Sequence, residues 1–354
     1  MKQRALILDG SFAVKPIHDA LSTKYDVFTI GGDRNSFFAV NAPARHYLID
    51  YSDHTKIEKY VRLKDFSEII PGCTDISLNT FAFINENFRQ IVKKTITKQK
   101  FAAFCKYCDV QTPDLLANPT SKDLPVIVKP DDSFSGRGVS VVRRLAELEP
   151  AIKYASINSE TNSYVIQRFI EGSLNSFSAF RCGNEIKIVH VREKNREGTF
   201  GVASSYCFNP EPNLSAKIMD IAGKFLNNEV KKLNFIHVQY ICFENNPYPI
   251  ELFLRCPGDL YPELIKRSTG IDYGKLYCNG YLSKPLLNDD PIPHLKEVRR
   301  KTLFANNKFE AIDKLRYLKA KDTVVTVDID QAFKSAAPER FAVVFQNGDF
   351  SENE

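Results

Sequence analysis

The segment from Phe235 to Arg255 constrains the fold more than any other part of the chain, because it predicts two strands joined by a tight turn. Both halves are rich in aromatic and β-branched residues, and the sequence Glu-Asn-Asn-Pro between them is typical of turns. If the hairpin pivots near Asn245, Gln239 lies opposite Glu251. Because side chains alternate across a strand, these two residues share one face with Arg255.

A carboxylate and a guanidinium on one apolar sheet face have two interpretations. The first is a divalent-metal site at Glu251 with a phosphoryl or acyl-phosphate site at Arg255. The second is a buried ion pair between the two side chains. His237, which would lie opposite Phe253, is a further candidate metal ligand, but a strand histidine is more often a hydrogen-bonded core residue.

Length and charge exclude several function classes. A chain of 354 residues with 43% hydrophobic residues has room for two or three packed domains. The net charge of +5 is small for this length and the basic residues are scattered, so we expect no nucleic-acid partner. The sequence begins with a strand pattern instead of a signal region, and no apolar run approaches the roughly 18–20 residues of a membrane span. We therefore expect a cytoplasmic protein with no membrane partner.

The eight cysteines are widely spaced along the chain. Only Cys105 and Cys108 have the CxxC spacing, and no second pair completes a zinc site. They also fit the apolar side of a predicted helix, where cysteine packs as a small hydrophobic residue. We expect all eight to be reduced thiols.

Residues 1–92 alternate strand-like and helix-like segments with short connections, and the last predicted helix covers Ile76–Val92. This alternation predicts a doubly wound parallel α/β sheet. Ligands of such sheets bind at the carboxyl ends of the strands. No GxGxxG sequence is present, which argues against a dinucleotide site.

A second hairpin is predicted around a loop rich in glycine and serine. An apolar strand ends at Lys129-Pro130, the loop Asp131–Gly138 follows, and another strand begins at Val139. Backbone N–H groups and hydroxyls in such a flap can surround phosphate oxygens, because glycine permits a close backbone approach. An ordinary turn is the alternative, since no GK[ST] sequence opens a helix here.

Four features occur in a fixed order: Lys100 near the start of a helix, Lys129 before the flap, the segment Phe169–Gly172, and the hairpin with Gln239 and Glu251. This order resembles the ATP-grasp superfamily, and more narrowly its carbamoyl-phosphate-synthase-like and carboxylate–amine ligase members. The resemblance covers roughly residues 1–285.

The implied fold is an N-terminal doubly wound parallel-sheet domain followed by an ATP-grasp fold of two subdomains. The implied boundaries are 1–94 for the first domain, 95–165 for a small lid subdomain, 166–285 for a larger subdomain and 286–354 for a C-terminal segment that packs on the grasp domain.

The resemblance also implies ATP and Mg²⁺ as cofactors and a role for each matching residue. Lys100 and Lys129 would contact the ATP phosphates, and Lys129 and Arg255 would be catalytic. Gln239 and Glu251 would hold the metal. The positions implied for the flap and for the adenosine site are Ser133, Ser135, Gly136, Arg137, Gly138, Gln167, Phe169, Ile170 and Glu171.

The implied activity is that of a ligase, which activates a carboxylate as an acyl phosphate and joins it to an amine with release of ADP and phosphate. Its partners would be small carboxylates and amines, and a homodimer is expected because many members are dimers. At least one of four basic residues is predicted, with Arg255, to bind the carboxylate, and a solvated loop is the alternative; the four are His190, Arg192, Lys194 and Arg196. Asp259 is predicted to line the acceptor site.

The chain departs from the family at the end of the hairpin, where Glu251-Leu252-Phe253 replaces the usual Glu-x-Asn. One metal ligand is therefore missing, which leaves the choice between one and two metal ions open. An ATP-binding protein without turnover, or a nucleotide sensor, is the alternative function. A carboxylase or a carbamoyl-phosphate-type synthetase would need partner proteins.

Overall fold

The computed structural model describes residues 2–133, 136–227, 233–286, 295–318, 323–325 and 339–348. The chain forms two compact units. The first unit comprises Met1–Ile84, Ala203–Phe208 and Arg255–Glu354, and the second comprises Asn85–Val202 and Asn209–Leu254.

The N-terminal part of the first unit is a parallel α/β sheet with the strand order β3-β2-β1-β4. The central strand, Arg-Ala-Leu-Ile-Leu, is buried along its apolar residues, as expected for a parallel sheet. The predicted doubly wound sheet is confirmed. The elements are β1 (Arg4–Leu8), α1 (Lys15–Ser22), β2 (Asp26–Gly31), α2 (Phe37–Asn41), β3 (His46–Leu48), α3 (His54–Lys64), β4 (Glu68–Pro71) and α4 (Asp75–Ile84).

The prediction of a single helix over Ile76–Val92 is wrong, because two helices occupy this stretch. Helix α4 ends at Ile84, and α5 (Glu86–Thr95) begins after Asn85, whose φ of −120° and ψ of 94° are extended. One extended residue is enough to interrupt a helix. The apolar pattern continues on both sides of Asn85, so periodicity alone does not reveal the break.

The remaining elements follow in chain order through both units. They are α6 (Lys98–Tyr107), β5 (Val126–Pro130), β6 (Ser140–Val142), α7 (Leu148–Ile157), β7 (Tyr164–Arg168), β8 (Ser173–Cys182), β9 (Glu185–Asn195), β10 (Val202–Cys207), α8 (Pro212–Leu226), β11 (Phe235–Phe243), β12 (Asn246–Phe253), α9 (Tyr261–Thr269), α10 (Tyr273–Asn279), β13 (Val298–Ala305), α11 (Lys308–Arg316), β14 (Thr323–Val325) and β15 (Glu339–Asn347).

The second unit contains two antiparallel sheets. The small sheet has the order β6-β5-β7, and helix α7 packs on it through a core that includes Val126, Val128 and Ala155. The larger sheet has the order β12-β11-β8-β9 within this unit. The β5–β6 and β11–β12 hairpins are two that the turn sequences predict.

The β11–β12 hairpin has the predicted register. Gln239 pairs with Glu251 and His237 pairs with Phe253. The turn is two residues long, since Glu244 and Asn245 both have positive φ values, of 48° and 55°. Two such residues in succession match the twist of a hairpin and pair Phe243 with Asn246. A register shift between Gln239 and Tyr240 then brings Gln239 opposite Glu251; without it, Gln239 would lie opposite Ile250.

The C-terminal part of the first unit adds α9, α10, α11 and the strands β10-β13-β15-β14 in that order. Strand β13 pairs with β10 on one side and with β15 on the other, antiparallel in both cases. The sequence pattern predicts C-terminal strands near Thr302–Ala305, Thr323–Asp328 and Phe341–Phe345, which correspond to β13, β14 and β15. Residues 326–328 of the second predicted strand lie outside the described residues. No helix in the described part of the chain has the length and apolar character needed to cross a membrane.

Candidate functional site

One face of the sheet β12-β11-β8-β9 carries a row of polar side chains in the interiors of the strands. Gln239 pairs with Glu251 on β12 and with Ser176 on β8. Ser176 pairs with Val191 on β9, and Glu193 lies on the same face two residues later. A polar row therefore crosses all four strands.

The centre of this row is a hydrogen-bonded group around Glu193. The Ser176 hydroxyl donates to Glu193 Oε1 at 2.6 Å, and Gln239 Nε2 donates to Glu193 Oε2 at 2.7 Å. Glu193 is only 7% exposed. Hydrogen bonds to a buried carboxylate are among the stronger ones, so these contacts restrict all three side chains.

Glu251 ends the row and faces a lysine. Lys98 Nζ lies 3.4 Å from Glu251 Oε1 and donates to the Ser133 carbonyl at 2.9 Å. Asp131 fixes the start of α6, because its carbonyl accepts from the backbone N–H of Lys98 at 3.1 Å and its carboxylate accepts from that of Gln99 at 2.8 Å. The loop after β5 thereby directs Lys98 toward Glu251.

Lys129, near the end of β5, is almost completely buried. Its Nζ donates to Gln167 Oε1 at 3.0 Å, and Lys129 is 8% exposed. Burial, followed by the positive charge of Lys98, lowers the pKa of Lys129 to about 8, and Glu251 acts in the opposite direction. The cluster of Lys98, Lys129 and Glu251 therefore contains two cations and one anion.

The predicted flap is the β5–β6 hairpin, and it needs glycine at two positions. Gly136 and Gly138 have φ values of 71° and 74°. A Cβ on Gly136 would lie 2.6 Å from the backbone of Phe200, and one on Gly138 would lie 2.5 Å from Pro130 Cγ. Arg137 between the glycines is exposed. Ser135, which is also predicted to belong to the flap, lies outside the described residues.

Lys100, the predicted phosphate lysine, is exposed on α6, and its backbone N–H donates to the N-cap Thr97 at 3.4 Å. Residues two apart on a helix point in different directions, so Lys98 and Lys100 lie on different sides of α6. The structure brings Lys98 to Glu251 in place of Lys100. The sequence Lys-Gln-Lys leaves both lysines in the first turn and does not distinguish them.

The predicted adenosine-site residues have different surroundings. Gln167 is 4% exposed, binds Lys129, and donates through Nε2 to the Pro113 carbonyl at 3.3 Å. Its partners identify it as a support for Lys129. Phe169 and Ile170 are half-buried in the connection between β7 and β8, and Glu171 is exposed and pairs with Arg143 at 3.1 Å.

Arg255 belongs to the first unit and has a carboxylate partner there. Its Nε and Nη2 donate to the two carboxylate oxygens of Asp75 at 2.6 and 3.1 Å, and Nη1 donates to the Cys73 carbonyl at 3.0 Å. The ion-pair partner of Arg255 is thus Asp75, and that of Glu251 is Lys98.

The basic stretch from His190 to Lys194 is part of a strand and not of a loop, whereas its predicted role in carboxylate binding stays a prediction. Strand β9 continues to Asn195, and His190, Arg192 and Lys194 alternate with Glu193 on the opposite face from Gln239. Burial lowers the pKa of His190 to about 4, and Arg192 Nε donates to Asn175 Oδ1 at 3.2 Å.

Glu193 is the site residue that the sequence reasoning missed. Val189 and Val191 are buried, and Glu193 follows them at the same spacing of two residues. The sequence predicts a strand over Glu185–Arg192, and extending this strand by one residue would have placed the acid on the face that carries Gln239.

His237 is 3% exposed, and its Nδ1 lies 2.9 Å from the Ser178 hydroxyl. These contacts favour the core-histidine interpretation. All eight cysteines, which lie in the described part of the chain, carry thiols. Within the described ranges, no group of three or more His, Cys, Asp or Glu side chains could hold a metal ion.

Comparison with known proteins gives a family match for part of the chain. Residues 90–234 match the ATP-grasp domain family. The matched range includes Lys98, Lys129 and Glu193, and it ends before Gln239 and Glu251.

Curated relatives of the ATP-grasp domain include ligases and synthases. The chain is 21% identical to a carbamoyl phosphate synthase large chain of Pseudothermotoga lettingae over 210 residues, which are 56% of this chain and 19% of that protein. It is 27% identical to a D-alanine–D-alanine ligase of Flavobacterium johnsoniae over 175 residues, which are 44% of this chain and 51% of that protein. The chain thus spans between about a fifth and about half of these two relatives.

Solved structures show the same fold over almost the whole chain. N5-carboxyaminoimidazole synthetase from Staphylococcus aureus, complexed with ADP, matches with a TM-score of 0.75 and 12% identity over 98% of this chain and 95% of that one. L-amino acid ligase from Bacillus licheniformis matches with a TM-score of 0.72 and 16% identity over 98% and 94%. The predicted fold class, a parallel-sheet domain followed by an ATP-grasp fold, is confirmed.

Proposed function

We propose that the chain is an ATP-dependent ligase that activates a carboxylate as an acyl phosphate and joins it to an amine. The observation that carries this proposal is the cluster of Lys98, Lys129 and Glu251 inside an ATP-grasp domain. Its excess positive charge suits a polyphosphate, because buried cations stabilise phosphate oxygens more strongly than exposed ones. Burial and Lys98 lower the pKa of Lys129 more than Glu251 raises it, which reflects the cost of burying this charge.

Each nucleotide group has a proposed set of binding residues. Lys98 and Lys129 bind the phosphates, and the flap formed by 133–138 covers them. Backbone groups of Phe169 and Ile170 bind the adenine edge, and Glu171 binds the ribose after releasing Arg143. Gln167 orients Lys129, as its hydrogen bond to Nζ supports.

The residues present fit one Mg²⁺ ion. The Glu251 carboxylate and the Gln239 amide oxygen are hard oxygen donors on paired strands, and Mg²⁺ commonly takes one or two carboxylates with phosphate oxygens and water. Bound there, the ion supplies charge neutralisation for the phosphates. Phe253 offers no oxygen, which supports one metal ion over two.

The proposed reaction has two steps. A carboxylate oxygen attacks the γ-phosphorus, the bond from this phosphorus to the β,γ-bridging oxygen breaks, and ADP leaves. The amine nitrogen then attacks the acyl carbon, phosphate leaves, and the nitrogen loses a proton to solvent. Lys98 and Lys129 neutralise the phosphates, and Arg255 is the proposed second catalytic residue because a guanidinium suits an acyl phosphate. The flap keeps water from the acyl phosphate.

A nucleotide sensor without turnover is the second candidate function. It is favoured by Phe253, whose ring centroid lies 5.8 Å from that of His237 at the position where the family usually has asparagine. The substrates in the first case are a small carboxylate and a small amine, and a homodimer is part of the proposal.

Calorimetry with ATP, with and without Mg²⁺, tests the nucleotide site first. We expect wild type to bind ATP, Lys129→Ala to lose binding, and the exposed control Lys100→Ala to retain it. A coupled assay for ADP release with mixtures of carboxylates and amines then tests the reaction. ADP release that requires both substrates supports the ligase, whereas ATP binding with no release in any mixture favours the sensor. Absence of ATP binding contradicts both functions.

A further inference from the structure

The amide nitrogen and the amide oxygen of Gln239 differ in their chemistry, and Glu193 determines the direction in which each atom points. A glutamine amide has a nitrogen that donates hydrogen bonds and an oxygen that accepts them. An ionised carboxylate only accepts, so the amide nitrogen must face Glu193, in agreement with the 2.7 Å contact. The amide oxygen is then the end directed away from Glu193.

Glu193 is itself held in place. The Ser176 hydroxyl donates to its other carboxylate oxygen at 2.6 Å, and the residue is 7% exposed. The register explains the contacts, because Ser176 pairs directly with Gln239 across β8 and β11. Three adjacent strands therefore determine the orientation of one amide.

The next row on the same face provides a comparison. There His237 pairs with Ser178 across the same two strands, and its Nδ1 lies 2.9 Å from the hydroxyl. Phe253 occupies the β12 position of this row, whereas Glu251 occupies it in the row of Gln239. Glu251 thus lies in the row in which the buried Glu193 carboxylate contacts Gln239 on β11, whereas Phe253 lies in the row of His237.

We propose that Glu193 is a positioning residue for the metal site of the proposed ligase. It holds Gln239 so that Oε1, and not Nε2, is presented beside Glu251 to a divalent cation. The Glu193 carboxylate also adds a second negative charge, on the side of Gln239 that faces away from the cation. This charge compensates in part for the oxygen donor that Phe253 does not provide. Outer partners of this kind typically change metal affinity by about 10–100-fold when they are removed. The proposal rests on the proposed function, because the metal is the one that would accompany ATP.

The Glu193→Gln variant tests the proposal directly. Glutamine at this position can donate as well as accept, so it no longer selects the orientation of Gln239. The readout is a ratio of two ATP dissociation constants measured by calorimetry: the constant in EDTA divided by the constant in saturating Mg²⁺. We expect this ratio to fall by about 10–100-fold, while the constant in EDTA changes less than about twofold.

A double variant provides a rescue that a merely structural role would not give. Glu193→Gln with Gln239→Glu exchanges the carboxylate and the amide, so the hydrogen bond is kept and a carboxylate lies beside Glu251. We expect the Mg²⁺ ratio to return at least to the wild-type value. Ser178→Ala is the matched control, since it removes a hydrogen bond from the same sheet face without touching Gln239, and we expect it to leave the ratio unchanged.

The outcomes separate this inference from the function on which it rests. An unchanged ratio in Glu193→Gln, or ATP binding by wild type that is indifferent to Mg²⁺, overturns the positioning role and leaves the nucleotide site intact. Absence of ATP binding by wild type overturns the proposed function itself, and the inference with it. If Glu193→Gln does not fold, Glu193→Asp carries the same test, because it withdraws the carboxylate from Gln239 by one methylene.

Discussion

The two units each place a cation beside a carboxylate away from bulk water, but the charges balance differently. In the first unit, Arg255 has a side chain that is 13% exposed, and it binds both carboxylate oxygens of Asp75. In the second unit, Lys98 forms an ion pair with Glu251, and the neighbouring Lys129 is buried with a lowered pKa. The first arrangement is a matched pair, and the second has an excess of positive charge.

This difference distinguishes a cation whose charge a carboxylate already balances from a cation whose charge is not balanced, and Arg255 would have to release Asp75 to act as the proposed catalytic residue. A matched pair with two parallel hydrogen bonds recovers much of the cost of burying its charges. An unmatched buried ammonium does not, so its pKa falls, and an incoming anion can offset that cost. We therefore expect substitutions in the first unit to change stability most, and those in the cluster of the second unit to change nucleotide affinity most.

The largest expected effect is that of Lys129→Met on nucleotide binding. Loss of a buried charge contact typically costs about 2–5 kcal/mol, so we expect ATP affinity in calorimetry to fall by about 100-fold or more. The free energy of unfolding at neutral pH should change by less than about 1 kcal/mol, because relief of the buried charge offsets the lost donor to Gln167. A large loss of stability without a loss of ATP affinity would show that Lys129 stabilises the fold and does not bind the nucleotide.

The next largest effect is expected for Arg255→Met in the first unit. Breaking a buried pair costs about 3–5 kcal/mol, and the 46% exposure of the Asp75 side chain reduces this, so we expect about 2 kcal/mol of lost unfolding free energy. Denaturant titration measures it. The variant that also carries Asp75→Asn should lose less than the sum of the two single variants. An unchanged midpoint would mean that the pair does not stabilise the unit.

A pH titration sharpens the comparison at Lys129. The pKa of Lys129 is lowered to about 8 from 10.5, so between these values the unfolded chain binds more protons than the folded one. Stability must then rise with pH in this window, and the cost of the buried charge persists in full below it. We expect the unfolding free energy of wild type, relative to Lys129→Met, to rise by about 1–2 kcal/mol from about pH 8 to about pH 9.5. A flat difference would show that Lys129 titrates normally.

The smallest effects concern the two lysines of helix α6. We expect Lys98→Met to weaken ATP binding by about tenfold, because Lys98 adds a partly exposed charge to the cluster. The control Lys100→Met should stay within about twofold, since an exposed helix side chain contributes little. Equal effects in the two variants, measured by the same calorimetry, would contradict the placement of Lys98 beside Glu251.

Local patterns were sufficient for much of the fold and for part of the site. The sequence predicts a hairpin in which Gln239 pairs with Glu251, and the structure has this pair, although a register shift between Gln239 and Tyr240 is needed to form it. The Gly/Ser loop after Lys129 predicts a hairpin, and β5 and β6 form it. These features depend on residues close together in the chain, which is why the pattern is informative.

Features that depend on distant partners could not be predicted in this way. Lys98 is selected over Lys100 by the contacts of Asp131 with the start of α6. Glu193 joins the site because β9 continues to Asn195, beyond the charged residues that resemble a loop. Arg255 binds Asp75, which lies 180 residues earlier in the chain.

The sequence by itself determined the alternation of strands and helices, the two hairpins and the residue types available for phosphate and metal. Only the tertiary structure decided which lysine meets Glu251, which carboxylate orients Gln239 and which anion pairs with Arg255. The physical reason is the distance along the chain over which each interaction acts. Turn chemistry and side-chain alternation act over a few residues, whereas burial and charge pairing depend on side chains brought together from remote segments.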